Sequence, residues 1–411
     1  MRQLPTASRA ADAPSSQPER PRAALPALCL TQITSWGIVY YAFPVLNPQI
    51  TAATGWNAAT TTASFSAALL VSAVAGIRIG RILDARGPRT VMTAGSVIGT
   101  ASLVIIATAP NMTLFTAGWL LAGLAMASTF YQPAFAALTR WWAPEHVRAL
   151  TIVTLAGGLA STVFAPLTAL LANHFSWRHT YLILAAVLAA LTVPAHAFAL
   201  RGPWPPAPTP APAATGAALS TPAIARSRPF LFLAAALTLS AFAMYAVVIT
   251  LVPLLLDRGY TATQAAWALG LGGAGQTLGR TLYATLARRS SPALRAAVLI
   301  GLGGATTAAF ALIPGPYPLL ATLAVTAGTV RGNLTLLQAT AITDRWGTHR
   351  YGRLSGLLAA PATTASALAP FAGTALAVPL GGYPHLFAAL ALVSALAAVM
   401  AWQTAPTDSP R

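Results

Sequence analysis

Arg331 is the residue of this chain that most needs a chemical explanation. It stands inside the apolar run 317–343, about 14 residues or ~20 Å from a connection at the α-helical rise. An arginine that deep in a membrane helix costs at least ~2.5 kcal/mol on insertion scales, so it must face a wet cavity or a partner. No Asp or Glu lies inside any apolar run; Asp84, Glu145, Asp257 and Asp344 all fall at connections. A permanent ion pair at mid-depth is therefore ruled out, and the missing counter-charge is one that a substrate would bring. Thr335 and Gln338 follow at i+4 and i+7 and extend one polar stripe on the same helix face. The competing explanation is a structural arginine held by backbone carbonyls or by Gln and Tyr side chains.

Arg280 lies in the run 263–287, with Gln276 one turn earlier as a hydrogen-bonding neighbour. It stands about four residues, or ~6 Å, off the middle of its helix. From there a guanidinium also reaches the interface by snorkelling, so a cavity and an interfacial position are both open to it. The first apolar run carries Gln32, Trp36, Tyr40, Phe43 and Asn47 at spacings of three or four, on one side of a helix. Tyr131 and Gln132 sit in the fourth run and Tyr245 in the seventh. Ordinary packing accounts for any one of these aromatics. Together with the arginines they make a cavity for a small organic anion, because guanidinium offers carboxylate a planar, bidentate fork. A broad multidrug exporter with a structural Arg331 is the alternative.

The elements that must position these groups are membrane helices. Of 411 residues, 56% are apolar and 8% charged, and mean hydropathy is +0.66. Soluble domains run near ~25% charged, so a soluble class is excluded. All 24 basic residues are Arg, against 7 acidic residues, for a net charge of +17. They fall between apolar runs rather than in a basic patch, which argues for loops on one membrane face and against nucleic acid. The lone Cys29 excludes an intrachain disulfide and a multi-Cys metal site. Scattered His residues suggest no metal, and neither a Walker nor a dinucleotide motif is present. No nucleophile–base constellation points to an enzyme, and no cofactor is implied.

Residues 1–26 are polar and rich in Pro and Arg, a disordered lead-in. Twelve apolar runs follow, at 27–50, 57–80, 90–109, 112–140, 149–172, 177–200, 229–256, 263–287, 296–313, 317–343, 354–377 and 383–403. A Pro-rich linker at 201–228 divides them into a six-helix bundle over 27–200 and a second over 229–403, before a tail at 404–411. Placing both termini in the cytoplasm puts 21 of the 24 arginines on that side. Only Arg178 and Arg258 fall outside, and Arg331 lies within the bilayer.

The halves repeat. Arg140-Trp141 matches Arg345-Trp346 at an offset of 205, kept by Gly123 and Gly328 and by Arg148 and Arg353. Gly80-Arg81-Ile82-Leu83 matches Gly279-Arg280-Thr281-Leu282 at an offset of 199. Such a repeat marks carriers that rock around a central site. The spacings Gly95-x-x-x-Gly99, Gly275-x-x-x-Gly279 and Gly328-x-x-x-Gly332 read as close helix packing.

The stretch Gly80-Arg-Ile-Leu-Asp84-Ala-Arg86-Gly87-Pro-Arg89 resembles the signature loop of the major facilitator superfamily. Ala85 stands where an Arg is usual, and Pro88 interrupts the tail. Trp141-Trp142-Ala-Pro-Glu145-His-Val-Arg148 and Ser176-Trp177-Arg178 resemble further stretches of that superfamily. The resemblance implies twelve helices in two pseudo-symmetric halves, alternating access, and a path lined by helices 1, 4, 7 and 10. It also implies that Asp84 sits by the cytoplasmic end of helix 11 and locks one state, with Gly80, Arg86, Gly87, Arg89 and Arg140 around it. A carboxylate at a helix N-terminus has the charge to do so; the plainer role is to balance its neighbouring arginines. Gly275-Gln276-Thr-Leu-Gly-Arg280-Thr is similar to helix 8 of the monocarboxylate and oxalate/formate carriers, where an Arg binds substrate carboxylate. Gln276 replaces the Asp that monocarboxylate carriers have there, and their helix 1 Lys and the oxalate carriers' helix 11 Lys are absent. The expectation is therefore an all-α, multi-pass carrier of a small anionic substrate, a functional monomer in a bacterial cytoplasmic membrane.

Overall fold

The computed structural model of the chain describes residues 20–142, 146–204, 221–346 and 351–404, the side chains of 221, 222 and 351–353 excepted. Arg2, Arg9, Glu145, Arg350, Arg411 and most of the Pro-rich linker lie outside the described residues. The described residues form helices and connections, with no strand among them.

The long helical segments are twelve among the described residues. α1 joins Ala24–Ser35, a π-helical stretch Trp36–Tyr41, and Ala42–Thr54. α2 is Ala58–Arg86, α3 Pro88–Thr108, α4 Met112–Trp141, α5 His146–His174 and α6 Trp177–Ala199. α7 is Arg228–Asp257, α8 Ala262–Arg289, α9 Pro292–Leu312, α10 Tyr317–Thr340, α11 Tyr351–Ala377 and α12 Tyr383–Trp402. Among the described residues nine of them, α2–α7, α9, α11 and α12, are long and apolar enough to cross a membrane. α1, α8 and α10 miss that measure, and all three line the central cavity described below.

Packing repeats between the halves. α2 lies on α4, α3 on α6 and α1 on α5; correspondingly α8 lies on α10, α9 on α12 and α7 on α11. Across the halves, α5 packs on α8 and α2 on α11. The start of α1 and the end of α12 share one end of the bundle, the terminal end; the other is the far end. Six helices open with a side-chain cap: Asn57, Asn111, Ser176, Ser227, Thr261 and Ser291 each accept from a first-turn N–H. Arg178 and Arg258, the two far-end arginines, cap the opposite polarity. Arg178 donates to Ala107 O (2.7 Å) at the end of α3, and Arg258 to Ala311 O (3.2 Å) and Ile313 O (2.8 Å) at the end of α9. Each supplies donors to carbonyls that a helix C-terminus leaves unpaired.

The loop expected at Gly80–Arg89 is instead helical. α2 runs to Arg86 and α3 begins at Pro88, so Gly87 alone turns the chain, at a left-handed φ of 78°. Asp84 therefore stands in the last turn of α2. A second departure from regularity is in α4, which breaks at Phe130. Pro133 has no N–H to offer the carbonyl of Thr129, four residues back. The Gln32 amide of α1 takes that carbonyl at 2.7 Å, so α1 covers the break and Tyr131 and Gln132 swing inward.

α8 and α10 meet backbone to backbone. A Cβ on Gly328 would lie 1.9 Å from Gly272 O, on Gly332 2.0 Å from Gln276 O, on Gly275 2.1 Å from Val325 O and on Gly279 2.0 Å from Thr329 O. The counterpart pair in the first half shows the same device, with Gly123 placing a Cβ 2.3 Å from Ala68 O. Gly332→Ala should therefore destabilise the protein by about 1–3 kcal/mol, the range for forcing atoms into a packed contact. Gly301→Ala, whose Cβ would meet only Ala398 Cβ at 3.7 Å, should be neutral. Thermal unfolding of the two variants in detergent decides it.

Candidate functional site

The α8–α10 contact fixes the rotation of both helices and turns Gln276, Arg280, Arg331 and Thr335 toward the bundle axis. There they meet Trp36, Tyr40 and Tyr41 from the π-helical stretch of α1, Tyr131 of α4, Gly157 and Gly158 of α5, and Met244, Tyr245 and Val248 of α7. The space they enclose is about 120 Å³. A π-helical turn inserts an extra residue per turn, which brings Trp36, Tyr40 and Tyr41 together on this wall.

Each of its polar atoms without a partner carries a hydrogen to donate. Arg331 leaves Nε and Nη2 without a hydrogen-bond partner among the described residues. The same holds for Trp36 Nε1, Tyr40 Oη and Arg280 Nε. None of the described lining residues is Asp or Glu. Arg280 is only 8% exposed, so it lies in the cavity and does not snorkel. One of its Nη groups donates to Thr154 O of α5, and the guanidinium sits against the Tyr131 hydroxyl. Gly157 and Gly158 make room for this: a Cβ there would meet Tyr131 Oη at 2.4 Å and Thr277 Oγ1 at 2.6 Å.

A second chamber of about 280 Å³ adjoins the first, sharing Trp36, Tyr40, Tyr131 and Tyr245. Leu69, Ser72 and Ala73 of α2 and Thr363, Ser366 and Ala367 of α11 form its sides, and Gln132 lies on its wall. Of the ten expected substrate-facing residues, eight line the arginine cavity and Gln132 lines this chamber. Gln338 does neither: it is exposed. It stands two turns beyond Arg331, toward the terminal end.

The chamber lies below a closed seam. At the far end the Phe371 N–H donates to Ser66 Oγ (3.1 Å), Asn173 Nδ2 to Thr263 Oγ1 (2.9 Å) and Thr162 Oγ1 to Gly270 O (2.9 Å), each from one half to the other. Ile77 stands about three turns from Ser66 on the same face of α2, yet is 64% exposed. Leu357, about four turns from Phe371 on α11, is 48% exposed. The α2 and α11 stripes that touch at the far end are thus uncovered toward the terminal end.

The family model of the Major Facilitator Superfamily matches residues 28–360. The chain belongs to the Major Facilitator Superfamily. Among similar proteins, Monocarboxylate transporter 13 of Rattus norvegicus is 28% identical over 321 residues, 75% of this chain and 69% of that protein. Monocarboxylate transporter 13 of Bos taurus is 28% identical over 207 residues, 50% of this chain and 47% of that protein, so the match spans about half of that relative. A crystal structure of a bacterial homolog to the human lysosomal transporter Spinster, inward-facing and occupied, superposes with a TM-score of 0.70 at 16% identity, over 92% of this chain and 96% of that one. This Major Facilitator chain is a multi-pass membrane transporter and not an enzyme.

At the terminal end of this Major Facilitator protein, Asp84 forms an ion pair with Arg140 of α4, within the same half. Gly80 and Asp84 border a cleft against Gln132 and Pro133, Gly87 makes the turn, and Arg89 donates to Ala197 O (2.9 Å). Arg86 is exposed. Sequence reasoning missed Trp204. Its Nε1 donates to Asp84 O (3.0 Å), Arg140 lies 4.4 Å from its ring centroid, and its ring fills the space a Cβ on Gly87 would enter. Trp141 Nε1 in turn donates to Pro203 O (3.0 Å). The start of the linker is thereby bolted over the Asp84–Arg140 pair. Trp204→Ala should lower stability by about 1–2 kcal/mol, through loss of the cation–π contact and the hydrogen bond. Trp204→Phe should lose about half as much, since it keeps a ring over Arg140. Melting of purified protein ranks them; equal losses would assign the whole effect to the bond with Asp84 O.

Proposed function

We propose that this transporter moves a small organic anion, a carboxylate, through the arginine cavity by alternating access. One observation carries the reading. Arg331, Trp36, Tyr40 and Arg280, each with a polar N–H or O–H group left without a partner among the described residues, line one space that no described acidic side chain lines. Buried donors without partners cost about 1–3 kcal/mol each, more when charged. A bound carboxylate supplies both the acceptors and the counter-charge. Arg331 is the clamp, with Arg280, Gln276 and Thr335 around it. The aromatic chamber, lined by Trp36, Tyr40, Tyr131, Gln132 and Tyr245, takes the apolar remainder of the substrate. The names of the two relatives are in keeping with a monocarboxylate.

In the same reading the Asp84–Arg140 pair, with Gly80, Arg86, Gly87 and Arg89, is the conformational gate. Arg140 holds Asp84 while the terminal end is parted, and Asp84 changes partner when that end closes. The protein acts as a monomer in a cytoplasmic membrane with both termini inside. A reporter fused after Arg411 should then behave as cytoplasmic. Asp84→Asn should leave the protein folded and slow its cycling, because only the charge is lost.

The 280 Å³ aromatic chamber is the feature that favours the second reading, a multidrug carrier with a structural Arg331. Ligand-dependent thermal shift separates the two. Choline salts of acetate, lactate and benzoate are compared with tetraphenylphosphonium. At ~100 Kd the best anion should add about 2.7 kcal/mol to wild-type stability. Arg331→Gln should remove the shift and Arg331→Lys should weaken it, since lysine keeps the charge without the fork. An undiminished anion shift in Arg331→Gln would put the multidrug reading ahead.

A further inference from the structure

The chamber beside the arginine cavity is larger than a carboxylate needs. At about 280 Å³ it exceeds the ~150 Å³ apolar cavity that is enough to hold benzene. None of the described residues lining it is charged, so it offers a carboxylate no counter-charge. The arginine cavity, at about 120 Å³, offers a bulky apolar group little room. A ligand that fills both is therefore oriented, with its charge among the arginines and its apolar body in the chamber.

The chamber's surface indicates what kind of body. Trp36, Tyr40, Phe130, Tyr131 and Tyr245 supply five rings. They are held by one another and by their neighbours. Trp36 stacks on Phe130 with 4.1 Å between centroids and stands 5.3 Å from Tyr131, and Tyr131 stacks on Phe135 at 5.2 Å. Rings fixed in this way keep their geometry without a ligand, which favours a flat, rigid group over a flexible chain. By contrast α2 and α11 contribute the small Ser72, Ala73, Ser366 and Ala367, which leave the chamber wide on their side. Tyr131 lines both spaces, with its hydroxyl against the Arg280 guanidinium. The two spaces thus lie within the length of one tyrosine residue, so a short aliphatic spacer joins a ring in the chamber to a carboxylate at the arginines.

We propose that the transported anion is an arylalkanoate: an aromatic ring, single or fused, on a short saturated spacer that ends in a carboxylate. The assignment rests on the anion reading above and narrows it. Arg331 and Arg280 hold the head, and the ring lies in the chamber beside Trp36 and Tyr131. Ala73 sets the room for that ring. It is exposed, and it stands about two turns from Ser66 on the same face of α2, so a larger side chain there enters the chamber and not a packed core.

Purified full-length protein is melted in detergent with increasing choline propionate, phenylpropionate or cyclohexylpropionate, and with the neutral phenylpropionamide. The phenyl acid should reach its half-maximal shift at a concentration about tenfold below propionate, the gain expected from burying one apolar group of that size. It should lie about threefold below the cyclohexyl acid, because ring–ring contact adds to burial. The amide should give no shift. Ala73→Phe should bring the phenyl acid to the level of propionate, and Ser72→Leu serves the same purpose should that variant fail to fold. Equal midpoints for propionate and the phenyl acid overturn the arylalkanoate and leave the anion reading standing. So does a cyclohexyl acid that matches the phenyl acid, or a phenyl preference that survives in both α2 variants. An amide that shifts wild type and Arg331→Gln as strongly as the acid removes the anion reading, and this assignment with it.

Discussion

The close approach of α8 and α10 is the contact on which the rest of the central architecture depends. Four glycines set backbone against backbone, and no larger residue fits at any of them without a shift. Helix association in a bilayer has little hydrophobic drive, so close packing of this kind supplies much of it. Because the contact runs along one face of each helix, it leaves one rotation available to both. That rotation aims Arg331, Arg280, Gln276 and Thr335 inward. The insertion cost of Arg331 is then met in a polar cavity and not in lipid. The first half uses the same device where Gly123 meets the Ala68 carbonyl, in keeping with the repeat between halves.

The other wall of the cavity is made by irregular backbone. A π-helical stretch in α1 and the break in α4 each free backbone groups that lipid cannot satisfy, so both must face protein or a cavity. Gln32 settles the debt at Thr129 O and in doing so ties α1 to α4. The irregularities and the cavity-lining aromatics therefore coincide for a physical reason.

Charge is divided along the molecule in the same economical way. Arginines occur in three settings: at the terminal end, as caps on α3 and α9 at the far end, and in the cavity. The three described carboxylates stand outside the central cavity. The centre is thus rich in donors. It straddles the halves, so its occupancy is tied to the position of the seam.

Sequence alone determined the membrane class, the apolar runs and the twofold repeat, and it singled out Arg331 as a charge inside one of those runs. Each follows from how steeply lipid penalises polar groups, which composition and spacing record directly. It also brought most of the cavity residues together, because a helical stripe survives folding as a face. Tertiary structure alone decided where each face points and how deep each residue lies. Arg280 was open to two positions until the glycine contact set the rotation of α8, and Gln338 shared the right face at the wrong depth. Asp84 seemed to lie in a loop because hydropathy falls with charge, while α2 continues as long as its backbone hydrogen bonds do. Trp204 had no periodic neighbours to betray it, and the π-helical turn no composition.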